Sequence, residues 1–484
     1  MLKKILACGM LIVIILTATA CKSSKDTYSG YSVYDDAYES ILNISNETSE
    51  NSQDSDSTQT SSKTSTNSAL QSSEKTNSTS SQNNSSNADS HKHNYTDGSC
   101  TEPSKCTVCG DIKTEAQGHY YVNGNCIWCY KTEEGFIKYY PVAVPEFTLA
   151  ELNDIFSQEY VKPKNVIFMI GDGMGPNDII ITEKFGKNLA DYGLAFNRIP
   201  NNGFAITTNV LGETTDSAAS ATALATGTKT KNGYVGLDKD GNKLKNISET
   251  AKECGKKVGI VTNDGLAGAT PSAFISHSIS RGNEFELVSG ALSLKPDVYV
   301  GGRPGCLTNA REDLIEDFLV TTELTTINKI LNTDLESKKP YLGFFSGVQN
   351  NLDLYTKIAL TKLQNENGFF LMVENTTTDS AGHSNNVQGK IDAVKIFDKT
   401  FKVVLDFVKD NPDTLLIITS DHETGGLQLP EGDAQPTDDL FTTTWHSSTP
   451  VKVFALGYGS EYFNGKTVDN TDIAKFAISA VKGE

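Results

Sequence analysis

Hydrophobic and polar positions divide the 484-residue chain into a long polar stretch and a C-terminal region with recurring apolar runs. The clearest runs cover residues 166–170, 258–262, 369–373, 415–419 and 451–455. Their nearly continuous apolar character is typical of strands that are buried on both faces of a sheet. Amphipathic stretches with helical spacing separate them. We therefore expect an α/β domain over residues 164–484, a three-layer αβα sandwich around a large, mostly parallel central sheet.

The N-terminus has the features of a secretory signal peptide over residues 1–20. Lys3 and Lys4 precede a short apolar run, and the small residues Ala18-Thr19-Ala20 form a cleavage site. Cys21 follows directly, as in a bacterial lipoprotein, and predicts a lipid that anchors the protein to the outer face of the cell membrane. The alternative is a plain signal peptide followed by a chance cysteine.

Residues 21–90 are mostly Ser, Thr, Asn, Asp and Gln. Such a segment buries too little apolar surface to offset its ordering entropy, so we predict a disordered tether. A Cys- and His-rich module follows over residues 91–132, and a linker with three prolines covers residues 133–163.

The module contains two Cys-x-x-Cys pairs with sixteen residues between them. This spacing predicts a zinc ribbon held by Cys106, Cys109, Cys126 and Cys129. Disulfides are the alternative in an oxidising compartment, although five cysteines do not pair evenly. Other ligand sets that use Cys100, His93 or His119 remain open.

The charge balance changes the range of functions to consider. The chain has 60 acidic and 42 basic residues and no basic stretch, which argues against nucleic acid as a partner. It has seven histidines, of which four lie in the large domain. Three of those four lie beside carboxylates or in a polar loop, a pattern that favours metal binding.

Polar residues follow the apolar runs, where an α/β sheet binds its ligands. Asp172 lies in a glycine-rich turn after the first run, and Glu374 lies at the end of the third. Asp379 and His383 share one face if their segment is helical. The fourth run leads into Asp421 and His422, and His446 lies in a later polar loop.

Ser217 begins a run of small helix-forming residues. A serine at a helix N-terminus is usually a cap, but the free N–H groups there also favour phosphate. Farther along, Thr270-Pro271 predicts a helix that continues through Arg281. His277 and Arg281 would then share a face, and Arg281 would be suited to clamp a dianion.

Together these segments resemble the alkaline phosphatases in order and content, and the run from Thr215 to Ser220 is the most diagnostic. The resemblance covers roughly residues 164–484. It implies a metal-dependent hydrolase that cleaves phosphate monoesters outside the cell and forms a phosphoserine intermediate. It makes Ser217 the nucleophile and Arg281 the phosphate clamp, oriented by Asp216, and leaves His277 with a structural role.

The resemblance also implies three metal ions. One zinc would be held by Asp379, His383 and His446. The second would be held by Asp172, Asp421 and His422. Magnesium would be held by Asp172, Thr270 and Glu374.

Two positions depart from the family pattern. Gly268 stands where an Asp or His is usual, and Ser380 stands where a Lys or His is usual. Both neighbours ordinarily tune the third metal, so its identity is open. A phosphodiesterase of the same superfamily and an inert surface-anchored binding protein are the rival functions. Dimers are common in the family, but no sequence feature defines an interface, the natural substrate, or a pairing of Cys254 with Cys306.

Overall fold

The computed structural model describes residues 144–307, 314–321, 339–344 and 351–484, together with four short strands between residues 104 and 126. Strand β1 (Ser104–Lys105) pairs antiparallel with β2 (Ile112–Thr114), and β3 (Tyr121–Val122) pairs antiparallel with β4 (Asn125–Cys126). The predicted signal peptide, Cys21, the tether and the side chains of the Cys-rich module lie outside the described residues. The choice between zinc and disulfides in that module stays open.

The large domain is built on a ten-stranded sheet. The remaining strands are β5 (Asn165–Gly171), β6 (Asn202–Ile206), β7 (Lys257–Gly265), β8 (Val298–Gly302), β9 (Leu319–Thr321), β10 (Tyr341–Phe344), β11 (Phe369–Asn375), β12 (Thr414–Thr419), β13 (Glu423–Thr424), β14 (His446–Ser447), β15 (Val451–Leu456) and β16 (Thr467–Asp469). The sheet order is β16-β6-β15-β12-β5-β11-β7-β8-β10-β9. Within the described pairings of this sheet, only β15 runs antiparallel to its neighbours.

Helices cover both faces of the sheet. They are α1 (Leu149–Ser157), α2 (Pro176–Phe185), α3 (Ser217–Thr226), α4 (Ile247–Glu253), α5 (Ala269–Ala273), α6 (Glu284–Leu294), α7 (Leu352–Leu363), α8 (Thr377–His383), α9 (Val387–Asp410) and α10 (Asn470–Lys482). In the described part of the chain, three 3₁₀ turns lie at Phe196–Arg198, Asp438–Leu440 and Ser460–Phe463. The longest helix, α9, buries its apolar stripe and has an Asn386 N-cap.

Alternating side chains of the central strands enter two separate hydrophobic cores. In β5, Ile167 and Met169 pack with α1, α7 and α9, whereas Val166, Phe168 and Ile170 pack with α3, α4, α6 and α10. All five side chains are fully buried because each face of the sheet carries a helical layer. The predicted α/β class and mostly parallel sheet are confirmed.

The strand order has a direct consequence for function. Strands β12, β5, β11 and β7 are consecutive neighbours and all run parallel, so their carboxyl ends meet at one edge of the sheet. The polar residues that follow the predicted strands are therefore brought together there. Among the described residues, no helix has the length and apolarity needed to cross a membrane.

Candidate metal-dependent active site

The turn after β5 places Asp172 at the centre of the site. Gly173 has a φ of +68°, and a Cβ there would lie 2.7 Å from the Asp379 Cα. Only glycine fits this left-handed turn and close approach without strain. The Gly173 N–H donates to Asp421 Oδ1 at 3.1 Å, which ties the turn to the end of β12.

Ser217 is the first residue of α3, as the sequence predicts. The N-cap is Asp216, whose Oδ1 accepts from the Ala219 N–H at 2.9 Å. Ser217 is buried, and its Oγ lies 3.2 Å from His422 Nε2. The serine hydroxyl thus lies at a helix N-terminus, beside an imidazole.

Arg281 lies beside Asp216, but in a backbone conformation that differs from the predicted helix. The helix that contains Thr270 ends at Ala273, so the expectation of a helix through Arg281 is wrong. Ser278 instead pairs with Val235, and Arg281 donates its N–H to the Gly233 carbonyl. The Arg281 Nη1 still lies 3.1 Å from Asp216 Oδ2, so Asp216 orients it.

His277 consequently shares no helix face with Arg281. Its Nε2 lies 2.8 Å from the Leu244 carbonyl oxygen and 3.7 Å from Glu249 Oε2. His277 therefore fixes a neighbouring loop and is outside the group of metal-ligand candidates.

Three side chains, here called the outer group, converge near the surface: Asp379, His383 and His446. The His383 Nε2 lies 3.4 Å from Asp379 Oδ2, the His446 Nε2 lies 3.6 Å from Asp379 Oδ1, and the two Nε2 atoms are 3.2 Å apart. Ligands of a tetrahedral zinc with bonds of about 2.0–2.1 Å are separated by about 3.3 Å. The spacing of the outer group therefore fits a zinc ion.

The outer group is held from behind by main-chain carbonyls. The His383 Nδ1 lies 2.6 Å from the Thr444 oxygen, and the His446 Nδ1 lies 2.9 Å from the Thr215 oxygen. These bonds leave each Nε2 facing the centre, as in metal-binding histidines. Burial and the charge of His422 lower the pKa of His446 to about 4, which keeps it neutral for a metal.

A second set lies deeper. Asp172, Asp379 and His422 also present converging ligand atoms, so Asp379 approaches two of the residues predicted for the second zinc. Asp421 is nevertheless adjacent, because its Oδ2 lies 3.1 Å from His422 Nε2. Asp172 Oδ1 lies 3.6 Å from the same nitrogen. The three residues predicted for the second zinc are thus brought together, with Asp379 close to both positions.

The inner group comprises Asp172, Thr270 and Glu374, all almost fully buried. Asp172 Oδ1 and Thr270 Oγ1 have no hydrogen-bond partner among the described residues. Burial raises the pKa of Glu374 to about 8, with a further contribution from the charge of Asp264. Burial and three nearby carboxylates raise the pKa of Asp172. Buried carboxylate and hydroxyl oxygens that lack hydrogen-bond partners fit a hard cation such as magnesium.

Several contacts of the site were not anticipated from the sequence. The Thr424 Oγ1 donates to Asp379 Oδ1 at 2.5 Å, and the Thr262 Oγ1 donates to Glu374 Oε2 at 2.5 Å. Thr262 ends the apolar run 258–262 and Thr424 lies two residues after His422, which is the signal that could have identified them. Strands β13 and β14 pair Thr424 with His446 and so bring that distant histidine to the site.

The two positions that depart from the family pattern also lie near the site. Ser380 is exposed in α8, and its hydroxyl reaches back toward the Thr376 carbonyl at 3.5 Å. Gly268 precedes α5, the helix that contains Thr270. No disulfide links Cys254 to Cys306.

Comparison with known proteins gives a consistent result. A family model described as alkaline phosphatase matches residues 163–297 and 347–437. These ranges contain every predicted catalytic and ligand residue of the large domain except His446.

Two Bacillus subtilis proteins are among the similar relatives. Alkaline phosphatase 4 is 33% identical over 56% of this chain and 64% of its own length. Alkaline phosphatase 3 is 30% identical over 64% of this chain and 70% of its own length. The matched region therefore spans just under two thirds of the first relative and more than two thirds of the second.

Solved structures give the same match. The alkaline phosphatase of the Antarctic bacterium TAB5 is 30% identical, with a TM-score of 0.59, over 67% of this chain and 99% of that one. The cold-active enzyme of a psychrophilic Shewanella is 28% identical, also with a TM-score of 0.59, over 66% of this chain and 99% of that one.

Proposed function

Because the chain belongs to the alkaline phosphatase family of phosphomonoesterases, we propose that it hydrolyses phosphate monoesters through a phosphoserine intermediate. The position of Ser217 carries the proposal. Its hydroxyl lies at the N-terminus of α3, 3.2 Å from His422 Nε2. It thus adjoins a set of metal-ligand candidates that would activate it.

The donor sets indicate which residues would hold which ions. Zinc would bind the outer group and, beside Ser217, the set of Asp172, Asp421 and His422. Magnesium would bind the inner group, and a variant of the TAB5 alkaline phosphatase has magnesium bound in its M3 site. When bound, the zinc ions would favour the serine alkoxide and stabilise the leaving oxygen, while magnesium would offset the charge of the buried carboxylates.

The residues of the chain perform the following steps. Ser217 Oγ forms a bond to phosphorus while the bond to the ester oxygen breaks. The proton of the serine hydroxyl passes through solvent to the leaving oxygen, which departs as the alcohol. Arg281, held by Asp216, donates hydrogen bonds to the non-bridging oxygens and offsets their charge. Water then attacks the phosphoserine, which releases phosphate and returns the proton to Ser217.

Replacing the nucleophile tests the proposal most directly. We expect Ser217→Ala to lose turnover of p-nitrophenyl phosphate by several orders of magnitude. Zinc content should be unchanged, because the proposed ligand sets remain. Ser293→Ala, an exposed serine in α6, is the matched control and should retain full activity. A wild-type protein that is inactive with zinc and magnesium would favour the inert binding protein.

The phosphodiesterase alternative is weaker because of two residues. Ser217 and Arg281 fit a monoester dianion, whereas related diesterases usually use threonine and lack this arginine. We expect p-nitrophenyl phosphate to be hydrolysed faster than bis(p-nitrophenyl) phosphate. A preference for the diester would reverse the assignment.

We also propose that the enzyme acts outside the cell and is anchored to the membrane by a lipid on Cys21. The support comes only from the N-terminal sequence, which resembles a lipoprotein signal. Labelling cells with a radioactive fatty acid should mark the wild-type protein and not Cys21→Ala. Equal labelling of the two, or none, would contradict the anchor.

A further inference from the structure

The space beside Gly268 is occupied by a carboxylate from another part of the chain. A Cβ at Gly268 would lie 2.5 Å from Asp264 Oδ2. Asp264 belongs to the end of β7, the strand next to β11. The Asp264 carboxylate therefore occupies the space that a side chain at position 268 would enter.

A short hydrogen-bond path connects Asp264 to the inner group. The Asp264 N–H donates to Thr262 Oγ1 at 2.9 Å, and that hydroxyl donates to Glu374 Oε2 at 2.5 Å. The path fixes the backbone of Asp264 relative to a proposed magnesium ligand. It ties the end of β7 to β11 at the edge where the ligands meet.

The effect of the Asp264 charge on Glu374 is consistent with this short path. After burial, Asp264 makes the largest contribution to the raised pKa of Glu374. The charges of Arg281 and of Asp379 also act on the Asp264 carboxylate. A further carboxylate close to Glu374 is unfavourable there unless a cation is present.

Independent evidence for a cation comes from the unpaired oxygens. Asp172 Oδ1 and Thr270 Oγ1 are buried and lack hydrogen-bond partners among the described residues. Magnesium keeps several water molecules when proteins bind it. Asp264 is an exposed residue, so its carboxylate is open to water.

We propose that Asp264 replaces the acidic side chain absent at Gly268 and positions the water molecules of magnesium at the inner group. This inference rests on the proposed magnesium site. Asp264 acts as a positioning residue, because it accepts hydrogen bonds from the water shell and adds negative charge. With Asp264 in this role, the magnesium site requires neither Asp nor His at position 268.

Magnesium titration of the zinc-loaded protein by calorimetry tests the proposal. We expect Asp264→Asn to weaken magnesium binding by about 10- to 100-fold, the usual effect of losing a group beyond the direct ligands. Zinc content and circular dichroism should match the wild type. Asp191→Asn, an exposed aspartate in a surface loop, is the control and should bind magnesium normally.

A relocated carboxylate separates positioning from a merely structural role. The double variant Asp264→Ala/Gly268→Asp should recover much of the magnesium affinity lost in Asp264→Ala, because the new side chain begins where the Asp264 carboxylate lies. Unchanged affinity in Asp264→Asn, or no recovery in the double variant, would overturn the role of Asp264. Failure of the wild type to bind magnesium would instead remove the inner metal site itself.

Discussion

The outer and inner ligand groups contain similar chemistry but differ in what holds them together. In the outer group, the side chains of Asp379, His383 and His446 are 19%, 35% and 14% exposed, and both imidazoles lie within 3.6 Å of the Asp379 carboxylate. In the inner group, the side chains of Asp172, Thr270 and Glu374 are buried. Among the described residues, Asp172 Oδ1 and Thr270 Oγ1 have no hydrogen-bond partner. The outer group is therefore nearly satisfied without metal, whereas the inner group depends on a cation.

The pKa values of the carboxyl groups shift in opposite directions in the two groups. Burial acts to raise the pKa of Asp379, but the hydrogen bond to His383 and the neighbouring imidazoles reverse that effect and lower it. For Glu374, burial and the charge of Asp264 outweigh the hydrogen bond from Thr262, and its pKa rises. A side-chain carboxyl group is thus stabilised as an anion in one group and as a neutral acid in the other.

The largest expected effect comes from breaking the outer group. Asp379→Asn removes the carboxylate that contacts both histidines and lies near His422. We expect loss of bound zinc and a fall in turnover on the order of 10³- to 10⁴-fold, since a catalytic metal supplies several kcal/mol. Metal analysis and p-nitrophenyl phosphate kinetics measure both. Asp392→Asn, exposed in α9, should leave both unchanged.

The next effect concerns the support beneath the inner group. Lys390, fully buried in α9, donates to the Gly173 carbonyl and to Asp178 Oδ2, both at 2.9 Å. Lys390→Met leaves a buried carboxylate without its cation and should cost about 3–5 kcal/mol of unfolding free energy. Denaturant unfolding measures the loss. An effect below about 1 kcal/mol would show that the turn does not need this pair.

The matched control lies one turn farther along the same helix. Lys395 pairs with Asp392 at 3.8 Å, and Asp392 is 56% exposed. Lys395→Met should change the unfolding free energy by no more than about 1 kcal/mol, because exposed ion pairs contribute little.

The sequence predicts the parts of this molecule that are fixed by burial on two faces. Each of the five apolar runs is a strand whose ends lie within three residues of the expected ends, because helices cover both sides of the sheet. The carboxyl-end rule then accounts for Asp172, Glu374, Asp421 and His422.

Tertiary contacts decide what the sequence could not show. The segment before Arg281 leaves its helix because Ser278 forms a β-bridge with Val235 and His277 contacts the Leu244 carbonyl. These partners overrule a weak local preference for helix. The approach of Asp264 to Gly268 is likewise visible only when the turn between them has closed.

The smallest effect is a pH dependence of the metal-free protein. Between its ordinary pKa of 4.5 and the folded value of about 8, Glu374 keeps its proton in the folded state and loses it on unfolding. Folding therefore binds a proton in this window, and stability should fall as the pH rises through it. We expect the melting temperature of chelator-treated protein to drop by a few degrees from pH 5 to pH 8. Added magnesium should restore it.

The variant Glu374→Gln separates the contribution of Glu374 to this pH dependence from the contribution of the histidines. The pKa values of His383 and His422 are also raised, so their loss of protons lowers stability in the same direction. The glutamine variant retains them, and its melting temperature at pH 8 without metal should exceed that of the wild type, while its magnesium response should disappear. Asp379→Asn should show the opposite change at pH 8, because it removes an anion that the folded state favours. Parallel pH profiles for the wild type and Glu374→Gln would mean that the inner group does not depend on its cation, and the contrast between the groups would fail.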